Sequence, residues 1–162
     1  MKRKKKDRLF LKCITVIFVG SLPFILKKTP IKDLLLVLFM NGYTNAIVDR
    51  FLVNRQILEY PVRFIPKEFK SNVLFDFLCL PTVSLWLYHL TKNDNPFKIV
   101  YKIVLTISSL FLVELWAEKN TKLIKWKKGW KWYHSLISLN LRVLFSRSVI
   151  AIINIIQKKQ ES

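Results

Sequence analysis

Glycine is scarce in this chain, with 3 residues in 162. That scarcity leaves no glycine-rich loop to cradle a phosphate and few of the tight turns that small all-β domains need. Cysteine is scarcer still. Cys13 and Cys79 both fall inside apolar runs, where they read as small buried side chains and offer neither a disulfide framework nor a thiolate metal site. The only histidines, His89 and His134, lie too far apart for a paired-histidine metal motif, and no serine sits in a nucleophile-elbow sequence. The sequence therefore predicts no metal, no cofactor and no catalytic residue. Acidic residues are also few, 10 against 28 lysines and arginines, for a formal charge of +18.

What the chain has in quantity is apolar surface: 52% of its residues, including 12 phenylalanines. A soluble domain of this size cannot hide so much of it. The distribution is blocky, with long apolar runs separated by short segments dense in lysine and arginine, as suits helices in hydrocarbon joined by aqueous loops. The same placement argues against nucleic acid as the partner of the positive charge, because the cations flank apolar runs where they orient membrane helices and attract anionic lipid headgroups.

Five runs are long enough to cross a bilayer: 9–26, 34–53, 71–91, 99–117 and 134–156, each 18 to 23 residues. At about 1.5 Å per residue they match a hydrocarbon core of about 30 Å. The first follows Lys2, Arg3, Lys4, Lys5, Lys6 and Arg8, like the charged start of a signal segment, and Val19, Gly20 and Ser21 resemble a weak cleavage site. Lys12 within the run and Pro23 just after that site favour retention as the first span. The loops sort by charge: with five spans, 16 lysines and arginines fall on one side of the membrane and 7 on the other. The richer side is expected to be cytoplasmic. The expectation is an all-α integral membrane bundle, one domain over 1–162, with five transmembrane helices, a cytoplasmic amino terminus and the carboxyl terminus outside.

Two loops on the basic side carry aromatic residues. Residues 57–69 interleave Tyr60, Phe64, Ile65 and Phe69 with Arg63, Lys67 and Glu68, and Pro61 and Pro66 prevent one continuous helix. Residues 123–133 set Trp126, Trp130, Trp132 and Tyr133 among Lys125, Lys127, Lys128 and Lys131. Both are expected to lie along the headgroups, the second as an inner-leaflet lipid anchor.

The spans also contain ionisable residues: Asp49, Arg50, Asp76, Lys102, Glu114, Arg142 and Arg147. Such groups are costly in hydrocarbon unless paired, so each needs a reason. Counted from the basic side, Asp49, Asp76 and Glu114 share a layer about 5 to 8 Å deep. Arg50 lies at similar depth, Glu118 sits at the boundary below Glu114, and Arg142 is deep enough to reach down to them. Asn41, Asn45 and Asp49 recur every fourth residue, and Asn140, Arg147 and Asn154 every seventh. Both stripes should face other helices. The candidate intramembrane polar site is therefore Asp49, Arg50, Asp76, Glu114, Glu118 and Arg142. Its carboxylates either lock helix order by pairing with Arg50, Arg142 and Arg147, or serve a site for protons, a cation or a polar headgroup.

At TNAIVDRFLV (44–53), LEYPVRFIPKEF (58–69), FDFLCLPT (75–82) and VELWAEKNTKLIKWKKGWKWYHS (113–135), the chain resembles a family of small uncharacterised multi-pass membrane proteins from Bacillus-type and clostridial Firmicutes. The resemblance implies a bacterial plasma-membrane location and carries over no catalytic residue. Two functions follow as expectations. The first is a non-enzymatic protein that assembles with itself or with another membrane protein through its polar helix faces. The second is a small transporter, proton-coupled subunit or lipid-handling enzyme that uses the carboxylate layer.

Overall fold

The computed structural model describes residues 2–27, 29–63 and 68–160. They form a helical bundle of α1 (Lys2–Leu26), α2 (Ile31–Asn54), α3 (Leu80–Leu90), α4 (Pro96–Asn120) and α5 (Trp132–Gln160). A five-residue π-helical turn, Phe75–Cys79, runs directly into α3. The exception to the all-α expectation is a pair of two-residue strands, β1 (Leu58–Glu59) and β2 (Lys125–Trp126). Four helices, α1, α2, α4 and α5, are long and apolar enough to cross a membrane; the helix over Phe75–Leu90 is shorter than the expected run 71–91.

Local chemistry sets the helix ends. Proline at position 30 precedes α2 and Pro96 opens α4, where a missing N–H costs nothing. Helix α2 closes with Gln56 in the left-handed region at φ 57°, its N–H bonded to the Val53 carbonyl at 2.9 Å and that of Ile57 to the Leu52 carbonyl at 2.9 Å. This is a Schellman closure with a side chain where glycine is preferred. The turn after β2 places Lys128 at φ 48° and Gly129 at φ 76°.

Successive helices run in alternating directions, so one end of the bundle carries the paired loops and the other carries the end of α1, the start of α2 and the turn at 91–95. Leu80, Leu87, Ile103, Ile107, Phe111, Leu139 and Val143 make a core between α3, α4 and α5. Nearer the turn end, Ile25, Val37, Leu85, Tyr88 and Ile150 make a second. Outward, Val16, Ile17, Phe24, Phe39, Ile47, Leu105, Leu112, Phe145, Ile152 and Ile155 are all more than half exposed. Such continuous apolar exposure belongs against lipid rather than water.

Helices α2, α3 and α5 share a polar seam. On α2, Asp33, Asn41, Asn45 and Asp49 are all buried. Near mid-bundle, Asn41 donates to Ser146 Oγ at 2.7 Å and accepts from Ser84 Oγ at 3.0 Å. Asn45 Nδ2 lies 3.4 Å from the Asp76 carbonyl. At the turn end, Tyr88 donates to Asp33, Asn154 Nδ2 lies 3.4 Å from the Tyr88 hydroxyl, and the Arg147 guanidinium sits 5.1 Å over the Tyr88 ring. The expected four-residue stripe on α2 thus faces its own chain's helices. On α5, Arg147 and Asn154 face inward too, while Asn140 Nδ2 bonds the Leu136 carbonyl of its own helix.

A loop-capped polar cavity

The two loops on the paired-strand end join: Leu58 pairs with Trp126 and Glu59 with Lys125 in antiparallel register. The ladder extends at both sides, from Lys127 N to the Ile57 carbonyl at 2.8 Å and from Val62 N to the Lys122 carbonyl at 3.0 Å. Glu59 is ion-paired with Lys127, whose hydrogen bond holds the Glu59 carboxyl below its usual range. Asp7 of α1 accepts from the Lys122 amide at 3.2 Å, tying α1 to the same cap. Residues Phe64, Ile65, Pro66 and Lys67 of the predicted interfacial segment lie outside the described residues.

Beneath this cap is a cavity of about 360 Å³. Its lining is largely apolar and includes Phe10, Ile14 and Phe18 of α1 and Leu110 and Val113 of α4. The polar part of it comprises Asp49, Tyr60, Asn72, Glu114, Ser135 and Arg142.

The polar side is built from three helices and both loops. Arg142 Nη1 of α5 lies 3.4 Å from Asp49 Oδ1 of α2, an ion pair with side chains 10% and 3% exposed. The Tyr60 hydroxyl donates to the other oxygen, Oδ2, at 2.5 Å. Burial, and then the negative charge of Asp49, push the Tyr60 phenol well above its ordinary pKa. Glu114 Oε1 accepts from Ser135 Oγ at 3.0 Å, and that hydroxyl accepts in turn from Trp130 Nε1 at 2.9 Å. Asp76 adjoins Asp49 and Ser71, yet neither of its carboxylate oxygens has a hydrogen-bond partner of sound geometry, and its side chain is completely buried. The buried Asn72 also leaves its side-chain oxygen unpartnered at the cavity wall.

Of the six residues grouped by depth in the sequence, four gather here: Asp49, Glu114 and Arg142 on the cavity and Asp76 beside Asp49. Two do not. Arg50 follows Asp49 by one residue, about 100° around the helix, and is exposed on the outer face of α2. Glu118 is half-buried one turn beyond Glu114 and does not line the cavity. Arg147 pairs with none of the three carboxylates; its guanidinium lies 3.3 Å from both the carbonyl and hydroxyl oxygens of Thr91 at the far end.

The aromatic loop also divides. Lys125, Lys127, Lys128, Lys131 and Trp132 are exposed, as an anchor requires. Trp126 and Trp130 are half-buried and turn inward instead. Trp126 stacks on Phe111 with ring centroids 6.5 Å apart, and Trp130 lines the cavity. Sequence reasoning missed Tyr60, Asn72 and Ser135 as cavity residues. Only strand pairing and packing between distant segments bring them together.

Among the described residues, no group of histidine, cysteine, aspartate and glutamate side chains is arranged to hold a metal ion. The cavity can instead bind by hydrogen bonds and charge: its lining offers carboxylate and amide acceptors with one guanidinium among them, within a largely apolar surround. Comparison with protein-family models, curated proteins and solved structures gives no match to this chain.

Proposed function

We propose that this is a five-span protein of a bacterial plasma membrane, amino terminus in the cytoplasm, whose loop-capped cavity binds an amphiphile. The carrying observation is that one cavity sets the carboxylates of Asp49 and Glu114 in an otherwise largely apolar lining. An apolar tail suits that lining; a head that donates hydrogen bonds or bears positive charge suits the carboxylates. Because the polar stripe of α2 is covered within one chain, binding in the cavity accounts for the carboxylates better than assembly through polar faces does. The role is one of holding or handling a ligand, without covalent chemistry.

Packing supports counting Phe75–Leu90 as a span. Its first turn adjoins Asp49 at one end of α2, and Tyr88 reaches Asp33 at the other. A segment that runs antiparallel to α2 over this distance crosses wherever α2 crosses. Its shortness calls for local bilayer thinning.

The test is titration of the detergent-purified chain with a fluorophore-tagged long-chain alkylammonium and the matching alcohol. Saturable ammonium binding, weakened roughly tenfold by Glu114→Gln, about 1.4 kcal/mol, with alcohol binding unchanged, supports the reading. Absence of saturable binding by either probe sinks it.

A further inference from the structure

Arg50 is a cation on the wrong face of its helix. Its neighbours along the outer stripe of α2 are Phe39, Tyr43, Ile47 and Phe51, all exposed and all suited to acyl chains. Arg50 sits four residues before the helix ends at Asn54, about 6 Å from that end. Among the described residues it has no hydrogen-bond or ion-pair partner. An arginine facing lipid at this depth needs a counter-ion or a route to water.

The surface beside it is shaped. A groove of about 370 Å³ runs between α2 and the segment leading to the π turn. Lys70 supplies a second cation there, Asn54 and Ser71 supply neutral donors, and Glu68 supplies one carboxylate. Phe77 also lines it, with one edge of its ring so close to the bare backbone at Gly42 that an added Cβ would meet Cδ1 at 3.0 Å. Phe69 and Phe77, 46% and 48% exposed, give the groove apolar flanks where acyl chains would begin.

We propose that this groove binds the phosphate of an anionic phospholipid, with Arg50 as the bidentate donor and Lys70 as the second charge. Guanidinium matches phosphate geometry with two parallel N–H bonds, which an ammonium cannot reproduce. Two cations against one carboxylate leave a single positive charge, the complement of a phosphodiester, and Glu68 remains to accept from headgroup hydroxyls. The site lies outside the loop-capped cavity and does not depend on the reading of that cavity.

The experiment places the full chain in phosphatidylcholine nanodiscs containing a minor fraction of phosphatidylglycerol, extracts it in mild detergent, and counts retained phosphatidylglycerol by mass spectrometry. Arg50→Gln should lower retention about fivefold or more, and Arg50→Lys should lower it by a smaller factor. The double variant Lys6→Gln/Lys119→Gln, on exposed helix-end residues at the same end, should retain wild-type amounts. If Arg50→Gln does not accumulate, Arg50→Lys and Lys70→Gln carry the test. Unchanged retention in the Arg50 variants, or an equal loss in the Lys6/Lys119 variant, overturns the proposal in favour of attraction to the basic face as a whole.

Discussion

Tyr60 donates its hydroxyl to Asp49 across a distance of 2.5 Å, and that bond latches the loop after α2 back onto the helix it has just left. Asp49 spends its other oxygen on Arg142, so a single carboxylate joins α2, α5 and the cap. Removing the hydroxyl with Tyr60→Phe leaves the ring packed and withdraws one donor from a buried acid. Hydrogen bonds to charged groups contribute about 1.5–3 kcal/mol, and thermal unfolding in detergent should register a loss of that order. The pH dependence has a definite sign. The folded phenol has its pKa raised above the unfolded value near 10, so its contribution is complete below pH 10 and disappears as pH rises beyond. The wild type should therefore lose stability above pH 10 more steeply than Tyr60→Phe. Parallel alkaline limbs for the two proteins would count against the latch.

The Asp49–Arg142 pair makes a second prediction. Both side chains are nearly inaccessible, and breaking a buried pair from one side leaves the other charge uncompensated, at a cost of about 3–5 kcal/mol. Arg142→Gln and Asp49→Asn should each reduce accumulation and melting temperature severely. The double variant should recover much of the loss, because it removes both charges together. Additive single effects would mean that the two groups do not depend on each other.

The sequence displayed more of the helices than of the site. Asn41, Asn45 and Asp49 announce a buried face by their spacing, and that face is buried. Depth was legible for the same reason, since residues per turn fix height along an axis. Depth does not fix direction: Arg50 shares its layer with Asp49 but, about 100° further round the helix, is exposed on its outer face. Asp33 continues the four-residue stripe, yet falls just before the apolar run that marked the second span. Trp126 and Trp130 sit among lysines like interfacial anchors, yet both turn inward, and the pairing of Trp126 with Leu58 joins segments nearly seventy residues apart. No periodicity within either loop encodes that pairing. The same holds for the cavity, whose Tyr60 and Ser135 come from separate segments.

Gln56 offers a prediction in the stabilising direction. Its φ of 57° lies in the left-handed region, which costs an ordinary residue about 1 kcal/mol more than glycine. The side chain is exposed, and the closing hydrogen bonds use backbone atoms alone. Gln56→Gly should raise the unfolding free energy by about 1 kcal/mol, read as an upward shift in melting temperature. Gln56→Val, with a branched side chain at the same angle, should lower it.

Topology gives the most decisive measurement. If all five helical segments cross, the paired-loop end and the end of α5 lie on opposite sides of the membrane. The charge sorting, 16 lysines and arginines against 7, predicts that the paired loops face the cytoplasm. Cys13 and Cys79 are first replaced by alanine, since either would confuse labelling. Single cysteines are then introduced as Lys127→Cys and Gln160→Cys, at exposed positions on the two ends. In intact cells a membrane-impermeant maleimide should modify position 160 and spare 127 until the membrane is opened. Labelling of both positions in intact cells, or protection of both, would mean that α5, the one helix between them, does not cross. Labelling of 127 alone would mean either five spans in the inverted orientation or four spans with Phe75–Leu90 entering and returning. A third cysteine, Lys6→Cys on the exposed start of α1, separates these: it is labelled in the first case and protected in the second, and either outcome removes the basis for assigning the capped cavity to the cytoplasmic half.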